Sequence, residues 1–231
     1  IDELTPATII NVGFSEKEAQ EFTTNFKAFI DANNTCINRS YAGDIIIPSE
    51  VNGYTVIEIG YNAFNSCLGV TSVSIPNTVK TIRPYAFANC SGMTSISIPS
   101  SVKNIEEGAF AYCTSLTSVN ITDIEAWCNI QFSDWDGDVQ RISNPLFCAQ
   151  HLYLNGEEVH ELSIPNTVTS IGACAFLGCT GITSVDIPSS VTSIDASAFR
   201  SCTCITSVDI PSSVTSIGKG AFSFTGLTSV T

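Results

Sequence analysis

Charged side chains are scarce in this 231-residue sequence. They make up 13% of it, about half the usual quarter, and 9 Lys or Arg stand against 22 Asp or Glu, a formal net charge of −13. The few basic residues are scattered along the chain, which leaves nothing to hold a phosphate backbone and excludes nucleic acid as a partner class. No apolar run approaches the roughly 20 residues that span a bilayer, and no basic segment precedes a leader-like apolar stretch. The segment therefore carries no membrane-inserted element of its own. It reads as cytosolic, or as the mature or trimmed part of a secreted chain.

Chemistry-bearing motifs are equally thin. The only histidines are His151 and His160. Cys148-x-x-His151 has ligand spacing, but the second pair that zinc requires is missing. There is no Gly-rich phosphate loop and no Gly-x-Ser-x-Gly. The reading is a protein without catalytic residues and without a cofactor, hence not an enzyme. What the sequence does have is 44% hydrophobic residues and ten cysteines, ample for a core and too apolar for disorder.

Those apolar residues recur. The phenylalanines at 64, 87, 110, 147, 176, 199 and 222 step by 23, 23, 37, 29, 23 and 23 residues, the odd steps being 23 plus 14 and 23 plus 6. Residues 98–120 read IPSSVKNIEEGAFAYCTSLTSVN and residues 187–209 read IPSSVTSIDASAFRSCTCITSVD. In one unit the apolar positions are Ile75, Val79, Ile82, Ala86, Phe87, Cys90, Met93 and Ile96. That spacing fits neither one helix face nor one strand face; it suits a coil that turns once per repeat around a shared apolar axis. Thr94 to Ile98 alternates polar and apolar with β-branched residues, a half-buried strand ended by Pro99. Stacked coils then give one parallel sheet, with residues 106–112 forming a helical turn on the opposite wall. The class is α/β.

The pattern LTSVxIPxSVTSIGxxAFxxC resembles the BspA-like leucine-rich repeat family over about residues 45 to 231. The resemblance implies a right-handed solenoid, here of about seven 23-residue coils. It also implies a secreted or cell-surface protein, in a family some of whose members are adhesins for host matrix proteins.

Residues 1–44 precede the repeats as an N-terminal cap. Ser15 with Glu18 forms a capping box, and Phe22, Phe26, Phe29 and Ile30 make one apolar stripe, so residues 15–31 read as an amphipathic helix that covers the first coil or docks a partner. The surplus between Pro48 and Pro76 sits in residues 50–54, with the turn signal Asn52-Gly53. The main insertion lies within residues 122–158 and holds both tryptophans. Trp127 reads as a core plug. Trp135, flanked by Asp134, Asp136 and Asp138, is the candidate for stacking on a sugar or anchoring in a protein. The three alternating aspartates suggest calcium only weakly, because Val139 stands where an EF-hand has glycine and Pro145 where it has the bidentate glutamate. Residues 151–156 read as an extra strand and turn. The last unit, 210–231, is one residue short and ends on a bare strand, which predicts a continuing chain or a covered edge.

Cys67, Cys90, Cys113, Cys179 and Cys202 each stand three residues after a repeat phenylalanine and read as a buried, unbridged thiol column. Cys36 and Cys128 read as core, Cys174 and Cys204 as surface thiols. Outward on the sheet lie Ser74, Ser97, Asn120, Ser163, Asp186 and Asp209, preceded by Ser72, Ser95, Ser118, Glu161, Ser184 and Ser207. Asn120, Glu161, Ser163, Asp186 and Asp209 are the partner-contact candidates on this face. The partner classes are an extracellular protein, such as a host matrix protein, or a glycan. The competing readings are a solvated face that keeps the sheet soluble and a spacer within a larger surface protein.

Overall fold

The computed structural model describes residues 42–51, 54–133 and 141–230. The cap helix expected at 15–31, Cys36, the Asn52-Gly53 turn and the acidic segment carrying Trp135, Asp134, Asp136 and Asp138 lie outside the described residues.

The chain forms a β-solenoid of about eight turns. Its main wall begins with the parallel strands Gly43–Ile46, Val70–Ser74, Ser95–Ser97, Ser118–Ile121 and Leu152–Leu154, closed by the antiparallel strand Glu157–Glu158. Equivalent residues sit in register: Ser72 beside Ser95 beside Ser118, and Val73 beside Ile96 beside Val119. The valine and isoleucine positions point inward and are buried. The expected single sheet is interrupted. After Glu158 the strand Glu161–Ser163 pairs with Ser184–Asp186, and Ser207–Val208 pairs with Ser229–Val230, as separate sheets. The hairpin at 152–158 turns outward on an αL pair, Asn155 and Gly156, and consumes the edge that the next coil would have continued. A second wall is built from two-residue strands. Glu58–Ile59, Thr81–Ile82, Asn104–Ile105 and Gln131–Phe132 make one sheet; Ser170–Ile171, Ser193–Ile194 and Ser216–Ile217 make another.

The third wall is not helical, contrary to the expectation for residues 106–112. Its N–H groups alternate in destination. Ala63, Asn65 and Cys67 donate three residues back, to Gly60, Asn62 and Phe64, whereas Asn62, Phe64 and Ser66 donate to Pro84, Ala86 and Ala88 of the next coil. A helix would spend these donors within itself; staggered turns leave half of them to bind the coils together. The geometry needs two left-handed residues per coil, two before and two after the phenylalanine: 62 and 66, 85 and 89, 108 and 112, 174 and 178, 197 and 201, 220 and 224. Several are not glycine, and a bulky residue in this conformation costs about 1 kcal/mol or more.

Inside, Phe64, Phe87 and Phe110 stack at 5.2 and 5.3 Å, and Phe176, Phe199 and Phe222 stack at 5.2 and 5.3 Å. Phe147, expected in the same column, is only half-buried. The insertion folds the short helix Leu146–Ala149 there and puts Leu146 in the core instead. Trp127, on the helix Ile124–Cys128, is fully buried and its indole N–H donates to Ala175 O at 2.9 Å. Asn144 Nδ2 donates to Cys174 O and Ala175 O at 2.6 and 3.0 Å, tying the insertion to the following coil. Gly172 is required here, since a Cβ on it would lie 2.6 Å from Cys128 O.

All nine described cysteines are unbridged. Cys90, Cys113 and Cys202 donate to Phe64, Phe87 and Phe176 carbonyls at 3.0, 3.2 and 3.0 Å, and Cys148 joins the column through Phe110 O at 3.7 Å. Cys174 is not a surface thiol: it is buried, because the insertion that supplies Asn144 covers its coil. Cys204 is exposed and Cys128 is core, as read from the sequence.

Burial pushes the Cys128 and Cys179 thiols from the ordinary 9.0 up to about 12. Between those values the folded state holds protons that the unfolded chain has released. Stability therefore falls as pH rises from 9 toward 12, by about 1.4 kcal/mol per pH unit for each such thiol. Denaturant titrations at pH 8 and about pH 10.5 test this. A steep loss, flattened in Cys128→Ala, is expected; equal stability at both pH values contradicts it.

Candidate functional site

The main wall presents a ladder of small polar side chains at constant spacing. Ser74, Ser97, Ser163, Asp186 and Asp209 are exposed, and Asn120 is half-buried with its Nδ2 3.4 Å from Ile96 O. Rigid backbone pairing fixes each of them. Threonine Oγ1 groups on the edge of the same wall donate to the preceding rung: Thr94 to Thr71 O, Thr117 to Thr94 O, Thr183 to His160 O and Thr228 to Thr206 O.

The hairpin divides this face. On its N-terminal side the first rung holds Asp44 and the exposed Ile46, the following ones serine and then Asn120, and the next rung brings Tyr153 beside Asn120. On the other side Glu161 stands beside Ser184, and Ser163 beside Asp186, with Asp209 exposed one coil further. Glu161, Ser163, Asp186 and Asp209 are thus brought together, and Asn120 is not among them. Trp135, Asp134, Asp136 and Asp138 lie outside the described residues.

Three clusters were not read from the sequence. Asp44 accepts hydroxyl hydrogen bonds from Thr71 and Ser72, both at 2.7 Å, at the start of the polar ladder. Arg83 bridges Glu58 and Glu106 at 2.9 and 3.2 Å, across three successive coils of the second wall. On the turn wall Tyr85 donates its hydroxyl to Glu107 Oε1 at 2.9 Å, and Arg141 holds the same carboxylate through Nε and Nη2 at 2.9 and 3.2 Å. The partners are 22 and 34 residues apart, so the coil register brings Tyr85 to Glu107 and the insertion brings Arg141.

Cys148 and His151 do not act as a pair. The thiol joins the core column, and His151 Nδ1 lies 2.6 Å from Glu158 Oε1, with His160 Nε2 3.7 Å from the other oxygen. Among the described residues no group of three or more His, Cys, Asp or Glu is placed to hold a metal ion, and no helix is long and apolar enough to cross a membrane. Chemically the faces offer hydroxyls, carboxylates and rings for recognition.

A stack of near-identical coils with inward columns and an outward polar ladder defines a repeat solenoid. The sequence matches the model of the BspA type leucine rich repeat region in six copies, over residues 32–152 and 148–231, and the chain belongs to that family. No curated protein matches it. A leucine rich cell surface protein from Faecalibacterium prausnitzii is similar, at 32% identity and TM-score 0.53 over 81% of this chain and 47% of that one. A leucine-rich repeat protein from Bacteroides ovatus shares 28% identity, with TM-score 0.46, over 80% of this chain and 50% of the other. The leucine rich repeat protein of T. pallidum shares 24%, with TM-score 0.48, over 78% and 74%. The chain spans about half the length of the Faecalibacterium protein.

The Ser72 hydroxyl, and after it that of Thr71, holds the Asp44 carboxyl below its ordinary value of 3.8. In an NMR titration Asp44 is expected to ionise below its ordinary value, and Ser72→Ala to move it back up. A titration at the ordinary value in both proteins contradicts this geometry.

Proposed function

We propose that this chain is a non-enzymatic binding module of an extracellular or cell-surface protein, and that it engages another protein through the outward face of its main wall. Host adhesion, with a matrix protein as ligand, is the role the family resemblance favours. The observation that carries the reading is the acidic half-face: Glu161, Asp186 and Asp209 lie exposed on successive hydrogen-bonded coils. Carboxylates fixed on a rigid array favour a basic partner surface, at rates that fall with salt. The family match and the similarity to a Faecalibacterium cell surface protein support the location. A structural spacer is the competing role and predicts no affinity.

Surface plasmon resonance against extracellular matrix proteins, at low and physiological salt, tests the proposal. Binding that weakens about tenfold or more in the Glu161→Gln, Asp186→Asn, Asp209→Asn triple variant is expected. Absence of binding to every matrix protein, or binding indifferent to the triple variant, overturns it.

A further inference from the structure

The hairpin that divides the main wall turns on Asn155 and Gly156, with φ 52 and φ 90. Both values are left-handed, as a tight loop between antiparallel strands requires. The loop pairs Leu154 with Glu157 and Tyr153 with Glu158, and Asn155 N–H donates to Ile121 O at 2.9 Å. This leaves an asparagine followed by glycine at an exposed tip. An asparagine carries its own electrophile, the amide carbon Cγ, within reach of the backbone nitrogen of the next residue. Attack needs a side chain free to swing, an N–H not spent elsewhere, and no bulk on the residue that follows.

Asn155 meets every one of these conditions. Its side-chain amide is exposed and has no hydrogen-bond partner among the described residues, and neither has the Gly156 N–H. A Cβ on Gly156 would meet nothing within 4 Å, so the space around the nitrogen is open. The other described asparagines each fail a condition. Asn62, Asn65, Asn89 and Asn129 are followed by an N–H already committed: Ala63 to Gly60 O, Ser66 to Ala88 O, Cys90 to Phe87 O and Ile130 to Trp127 O. Asn144 precedes a proline, which has no N–H. Asn104 and Asn120 lie in paired strands. Asn77 and Asn166 are exposed, but each is followed by a β-branched threonine.

We propose that Asn155–Gly156 is a self-modification site, where the asparagine deamidates to aspartate and isoaspartate and the isoaspartate form releases His151 from Glu158. The Gly156 nitrogen gives up its proton and attacks Asn155 Cγ. The N–Cγ bond forms, the bond from Cγ to the amide nitrogen breaks, and ammonia leaves with that proton. Water then opens the cyclic imide, at the side-chain carbonyl to give aspartate or at the backbone carbonyl to give isoaspartate. Either product places a new carboxylate beside Glu157. Isoaspartate also routes the main chain through the side-chain methylene, so the loop no longer fits the pairing of Tyr153 with Glu158. Glu158 Oε1 lies 2.6 Å from His151 Nδ1, and that contact is lost with the pairing. The site does not depend on the protein-binding role of the acidic face.

The test incubates the full chain in mildly alkaline buffer, folded and in urea, and follows each asparagine by peptide mass spectrometry. Isoaspartate is read by its methylation with an isoaspartyl methyltransferase, and His151 by its ring NMR signals. In the folded chain, deamidation at Asn155 about tenfold or more faster than at Asn62, Asn77, Asn89 and Asn166 is expected. Isoaspartate is expected as the major product, with His151 signals that move as it accumulates. Asn155→Asp adds the charge without lengthening the main chain and is expected to keep the His151 contact with Glu158. The proposal is overturned if Asn155 reacts no faster than Asn62 and Asn89, or if deamidation is confined to Asn52. It is equally overturned by aspartate without isoaspartate, the mark of direct hydrolysis, or by a rate at Asn155 about tenfold or more slower in the folded chain than in urea. His151 signals that stay unmoved on full conversion overturn the release.

Discussion

Each coil hands backbone N–H groups to the carbonyls of the coil beyond it, at the same places every time: Phe64 to Ala86, Phe87 to Ala109, Phe176 to Ala198, Phe199 to Ala221. This fixes the register, and the register decides everything else. Because equivalent residues must stack, one phenylalanine position becomes a ladder of rings about 5 Å apart, and one cysteine position becomes a column of thiols. The same rule acts outward, where one serine or aspartate position becomes a row. A single 23-residue solution is thereby copied along the axis, with each coil burying the apolar face of its neighbour.

The insertion is the one place where that copying fails, and the structure repairs it with different chemistry. Leu146 is fully buried, Cys148 keeps the thiol column, and Trp127 and Asn144 donate to carbonyls of the coil that follows. The core therefore continues through the insertion although the outer sheet does not. The cost appears on the surface, where the hairpin at 152–158 separates a hydroxyl-rich face, acidic only at Asp44, from one carrying Glu161, Asp186 and Asp209.

Much of the fold was legible because each inward position is sampled six or seven times. Ile75, Val79, Ile82, Phe87, Cys90, Met93 and Ile96 are all buried where the period puts them. Phe147 is only half-buried, and spacing alone cannot show that an insertion winds a helical turn and buries the preceding leucine. Cys174 was misread because its cover comes from Asn144, 30 residues earlier. Glu-Glu-Gly-Ala-Phe-Ala-Tyr has the local preferences of a helical turn, yet the donors it owes to the next coil outweigh them. The polar ladder was legible as a row of positions; its division was not. The Tyr85, Glu107 and Arg141 lock left only one trace in the sequence, a tyrosine where other repeats hold asparagine, glycine, cysteine or serine.

The central claim is that the stacked column, not the polar faces, carries the structure. Equilibrium unfolding of Phe199→Ala beside Asp186→Ala tests it most directly. Phe199 is fully buried between two stacked rings, whereas Asp186 is exposed on the face. A loss of about 3–5 kcal/mol for Phe199→Ala, against about 0.5 kcal/mol or less for Asp186→Ala, is the predicted result. A loss below about 1 kcal/mol for the phenylalanine, or equal losses for the two variants, contradicts the account.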